Sequence, residues 1–139
     1  MAKTFTAPFA QTYKTNAAAV TAALTGIGTS TVTGAVLLTT AGTNGALVTK
    51  ITAIPRATIT AASLVLFLVK ASAPSVYNLI DSELMAAYTL AATTAIPETA
   101  FGNIAPTSPL RLEAGDMLYV GSQVALAAGI VFYAEQADL

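Results

Sequence analysis

The chain contains no cysteine, no histidine and no tryptophan, and only 9% of its residues are charged. Without cysteine there is no disulfide, no thiolate metal site and no thiol nucleophile. Without histidine the commonest general base and the commonest transition-metal ligand are both missing. The charged fraction falls far below the roughly 25% of ordinary globular chains. Its net value of -1 leaves no basic surface to hold a phosphate backbone.

What fills the space is apolar. Hydrophobic residues make up 55% of the 139, and mean hydropathy is +0.68. One domain of this length can bury a sizeable core. So few charges leave three ways to satisfy its surface: a membrane span, burial in an assembly, or an exterior of Thr, Ser, Gln and Ala. The strongest membrane candidate is 117–134, which carries no charge. Gly121-Ser122-Gln123 interrupts it, strand formers flank the break, and no Lys or Arg anchors its ends. At the N-terminus Lys3 stands alone, and Thr, Pro and Gln break any signal-peptide core. The expectation is a non-secreted chain outside the membrane, with much of its surface hidden by partners.

The organising stretch is 109–133. Leu110 and Leu112 alternate with Arg111 and Glu113, Ala114-Gly115-Asp116 makes a turn, and apolar runs follow on both sides of Gly121-Ser122-Gln123. Upstream, 34–40 and 46–53 read as strands of a hairpin closed by Asn44-Gly45, because Asn-Gly favours φ > 0 at both central positions. Segment 57–70 reads as the longest strand. Leu64, Leu66 and Leu68 face one way and Val65, Phe67 and Val69 the other, so its outer face is expected to meet another subunit. A strand at 76–80 follows. Residues 81–88 fit either a helical turn capped by Asp81 or Ser82 or continued strand. Residues 93–106 read as loop and 135–139 as a tail. Segment 17–24 is Ala-rich and helical by propensity, weakened by its Thr and Val neighbours, and 26–33 reads as a loop. Residues 1–16 read as an extended arm with spaced aromatics. Strands near every ten residues with turns between them predict an all-β domain over 17–139, jelly-roll-like or a β-sandwich.

Catalytic chemistry has little to work with. The local carboxylate pairs are Asp81 with Glu83 and Glu113 with Asp116, and the second sits on a turn that suits a solvated loop tip. Neither marks the groove that paired-carboxylate hydrolysis needs. No Asp-rich calcium loop is present, and Gly26-x-Gly28 lacks the third glycine of a dinucleotide site. Arg56 and Arg111 fit interface or ion-pair roles. The reading is a non-enzyme with no cofactor, no metal and no catalytic residue.

The runs at 41–45, 53–60, 64–68, 84–89 and 109–120, with Leu79-Ile80, resemble small virion proteins encoded near the head genes of tailed bacteriophages. Within that group the chain resembles capsid decoration, or cement, proteins. The resemblance implies a β-rich homo-oligomer, usually a trimer, seated on the major capsid protein at the surface of the virion and made in the host cytoplasm. It implies no direct contact with nucleic acid or membrane. These motifs are scaffold patterns and carry no binding residue with them. From the chain itself, Phe5, Pro8, Phe9 and Tyr13 are expected to form a capsid-facing arm, since aromatic anchors dominate contact energy. Leu64, Leu66, Leu68, Val124, Leu126, Ile130 and Phe132 are expected to make core and subunit contacts. The alternative is a tail, head-fibre or turret subunit that binds a host receptor through loops 26–33 and 93–107.

Overall fold

Alternating side chains and β-branched residues set nine strands in the computed structural model, which describes residues 12–139. They are β1 (Thr12–Val20), β2 (Val36–Thr40), β3 (Ala46–Pro55), β4 (Ala62–Val69), β5 (Asn78–Met85), β6 (Thr99–Ala100), β7 (Leu110–Leu112), β8 (Met117–Ser122) and β9 (Ile130–Asp138). The first sheet runs β1-β9-β3-β6, with β7 also on β3; the second runs β2-β8-β4-β5. All the strand pairings are antiparallel. The links β1–β2, β2–β3, β3–β4, β5–β6, β7–β8 and β8–β9 each cross from one sheet to the other. The chain therefore winds a two-layer sandwich along a jelly-roll path, as the sequence predicts.

Between the sheets lie Leu64, Leu66 and Met85 from one side and Ile51, Ile130 and Phe132 from the other, all at most 1% exposed. Phe101, just after β6, joins them and packs against Phe132 with ring centroids 6.4 Å apart. A buried aromatic thus anchors a stretch expected to be plain loop.

Several local expectations are corrected. Residues 12–16, expected to belong to an arm, are strand instead, because Thr12–Val20 pairs with β9 along its whole length; residues 1–11 of that expected arm lie outside the described residues. Segment 17–24 is not helical: Ala18 and Val20 turn toward the core, and the ladder to β9 outweighs alanine's helix propensity. Likewise 135–138 is not a tail but the end of β9; of the two readings for 81–88, continued strand holds through Met85. The 41–45 turn exists, yet it closes no hairpin, since β2 and β3 belong to different sheets. Gly45 N–H donates to the Gly42 carbonyl at 3.1 Å, which puts Thr43 and Asn44 at the centre, both with negative φ. That is a type I geometry with glycine after it, not the primed turn that matches a two-stranded ribbon.

The outer face of β4 is covered, but by its own chain. The segment between β1 and β2 folds back over the second sheet, where Leu24 and Val32 pack on Val65 and Phe67. Leu24 sits over Gly121, where any added Cβ would collide with it. Tyr77 and Tyr119 extend this layer edge-on, with Phe67–Tyr77 centroids at 6.0 Å and Tyr77–Tyr119 at 5.0 Å. A neighbouring subunit is therefore not required to shelter that strand.

Candidate interaction surface

The two open sides of the sandwich differ in their chemistry. On one side β1 lies beside β2, and polar side chains stitch the layers together. Lys14 Nζ reaches Asp138 Oδ2 at 3.1 Å and the Thr40 carbonyl at 3.0 Å. Asn16 Nδ2 donates to Thr39 Oγ1 at 2.9 Å, and Thr39 donates to Gln136. Gln136 Nε2 donates to Asp138 Oδ1 at 2.9 Å. Burial works to raise the Asp138 pKa, but Lys14, Gln136 and the Gly42 N–H outweigh it and hold the carboxyl below its ordinary value.

At one end, the β2–β3 and β7–β8 crossings meet. Ala41 N–H donates to the Asp116 carbonyl at 2.8 Å. Asp116 is 2% exposed, so it is not the solvated loop tip expected from its turn. Its carboxylate accepts from Lys70 Nζ at 2.6 Å, Glu113 N–H at 3.1 Å and Ala71 N–H at 3.2 Å. Here too burial pushes the carboxyl up, and Lys70 with the two amides pulls it net below its usual value. The same contacts, to Asp116 first and then Glu113, raise the Lys70 pKa. Glu113 and Asp116 thus share one lysine, which ties the turn to the end of β4.

On the opposite side lies β5, an edge strand. Its cross-strand partners settle which way each side chain points, because directly paired residues share a face. Asp81 pairs with Leu66 and Glu83 with Leu64, so both acids lie on the core-facing side of the rim. Leu79 pairs with Phe67 and Leu84 with Ser63, so both leucines face outward, 51% and 71% exposed. Ile80 occupies the irregularity between them and is also exposed. The usual sense of strand amphipathicity is inverted. Inward charge on an edge strand discourages uncontrolled pairing of its backbone, while outward leucines favour contact through side chains.

Leu79, Ile80, Leu84, Leu90 and Ile96 make up five of the seven large hydrophobic residues exposed among the described residues; Tyr13 and Leu37 are the others. Three of the five, Leu79, Ile80 and Leu84, lie on β5, and the rest of the exposed surface is largely Thr, Ala, Ser and Gly.

Of the expected contact residues, Phe5, Pro8 and Phe9 lie outside the described residues. Tyr13 is 80% exposed on the outer face of the first sheet, where it borders a shallow groove with Thr15, Thr49 and Glu135. Leu64, Leu66, Ile130 and Phe132 are wholly inside the sandwich, and Leu68, Val124 and Leu126 pack partly buried against the same core. None of the seven is a large exposed contact. The 26–33 loop is tied down by the Thr25–Thr33 bridge and by Val32. Among the described residues no group of three or more Asp and Glu is placed to hold a metal ion, and no helix is long and apolar enough to cross a membrane. Comparison with protein-family models, with curated proteins and with solved structures returned no match.

Proposed function

We propose that the chain is a non-enzymatic virion structural protein, a capsid decoration or cement subunit that self-associates and bridges neighbouring capsomers of a tailed-bacteriophage head. The observation that carries the assembly role is β5, with its acids turned in and its leucines turned out. The fold is compatible with it: jelly rolls build viral capsid, lectin and cupin domains. Fold alone selects none of these, but a chain without histidine lacks the usual metal ligand of a cupin centre. The virion setting rests on the resemblance of the strand-and-turn runs described above. Three copies, each touching more than one capsomer, would hold a shell by multivalency without any single strong contact. Receptor binding gains less support, because the 26–33 loop is spent covering the second sheet.

Sedimentation velocity at micromolar concentration is expected to show a species near three times the 14.0 kDa chain mass. Replacing Leu79 and Leu84 together by glutamate is expected to weaken association by about 100-fold or more, given about 1.5 kcal/mol for each leucine whose burial is lost. A wild-type protein that stays monomeric and does not label phage heads would overturn the reading.

A further inference from the structure

Where the sheets part beside β5, a cleft of about 290 Å³ opens between that strand and the β6–β7 connection. Its walls are apolar, formed by Leu68, Ile80, Ile104, Pro109 and Leu110. The polar groups are Asp81, Asn103 and Ser108. Asp81 Oδ1 accepts from Ser82 N–H at 2.8 Å and from Asn103 Nδ2 at 3.3 Å. Ser108 Oγ donates to the Asn103 carbonyl at 3.0 Å, which fixes the turn that presents the amide. Asp81 Oδ2, in contrast, is buried and has no partner, and it is the one such side-chain nitrogen or oxygen among the described residues.

Buried acceptors are nearly always satisfied, and a charged one left bare is costly. The opposite side of the sandwich shows what this chain does otherwise, for there Asp138 meets Lys14, Gln136 and Gly42. A hard metal ion does not suit Asp81, since calcium or magnesium asks for about six oxygens and one carboxylate dominates here. The volume falls at the bottom of the range for small-molecule pockets, about 300 to 1,000 Å³, and fits a side chain better than a cofactor. A long aliphatic stem ending in a donor-only cation matches both the walls and the bare oxygen.

We infer that this cleft receives a lysine or arginine side chain from a protein partner, with Asp81 Oδ2 accepting its charged head. The inference rests on the docking role of β5 and names the chemistry that recognition there would use. The outward leucines supply apolar area, and the inserted cation fixes register along the strand.

The test is an amide-shift titration of the full chain with n-butylguanidinium, and in parallel with n-butanol, which has the stem without the charge. Saturable shifts at the Ser82 amide and the Asn103 side-chain amide are expected with the cation alone. Asp81→Asn, checked for an unchanged fold by its thermal midpoint, is expected to weaken that response at least about tenfold. Equal responses to cation and alcohol, no saturable response, or an undiminished response in a folded Asp81→Asn would overturn the inference. The wild-type comparison needs no variant, so misfolding of Asp81→Asn leaves the test intact. It is also independent of self-association, which the Leu79 and Leu84 glutamates probe: loss of either result leaves the other standing.

Discussion

Asp116→Ala is expected to lower unfolding free energy by about 2 kcal/mol, read as a shift in denaturant midpoint at neutral pH. The magnitude follows from what the carboxylate leaves behind. Asp116 is buried, and its removal strands the Glu113 and Ala71 amides that it now satisfies. A stranded donor costs about 1 to 3 kcal/mol, and these two, part-buried on exposed residues, fall at the low end. Lys70 is about a third exposed and can return to water, so its own loss adds little. The pH dependence has a definite sign. A carboxyl held below its ordinary value in the folded state contributes stability above the unfolded pKa, about 3.9. That contribution is lost as pH falls through the lower folded value. Wild-type stability should therefore drop on acidification below about pH 4, and the slope should be shallower in Asp116→Ala. Asp138 shifts in the same direction and keeps part of the slope. An identical acid slope in wild type and variant would rule out Asp116 as a source of it.

Gly45→Ala is expected to be at least as damaging, at about 2 to 4 kcal/mol by the same measurement. Gly45 has φ of +90°, a conformation that side chains rarely adopt. An added Cβ would also lie 2.5 Å from the Leu112 carbonyl oxygen, which is backbone and cannot swing aside. Both penalties fall where the two sheet crossings touch. The variant should therefore loosen the second crossing too, seen as faster hydrogen exchange at the Ala41 and Asp116 amides. A stability within about 0.5 kcal/mol of wild type, the scatter of neutral surface changes, would show that the turn can relocate.

Much of this architecture is legible in the residues themselves. Leu64, Leu66 and Leu68 announce a core face by simple alternation, and Gly115 and Gly45 punctuate their turns. What the chain does at those turns is not legible in the same way. Asn44-Gly45 fits a ribbon and a sheet crossing equally well until the hydrogen bond to Gly42 fixes which residues are central. The cover over β4 is equally hidden, because Leu24 and Val32 share no period that ties them to Val65 and Phe67. β5 shows the deepest reason. Alternation in Asp81, Ser82, Glu83 and Leu84 divides the side chains into two sets without saying which set turns inward. Pairing with β4 makes that choice, and it reverses the ordinary preference. The burial of Asp116 is hidden for a related cause: a turn acid looks solvated until Lys70, from another strand end, arrives over it.

The position of β9 has a consequence for how the protein is made. It lies between β1 and β3 and pairs with both, along nearly its full length. During synthesis those two strands emerge first and have no central neighbour to join. The first sheet can therefore close only after translation has passed Asp138, and its collapse should await β9 rather than proceed piece by piece. Such distant closure is intrinsically slow. Protease digestion of stalled nascent chains should find β1 and β3 open to cleavage until β9 has cleared the exit tunnel.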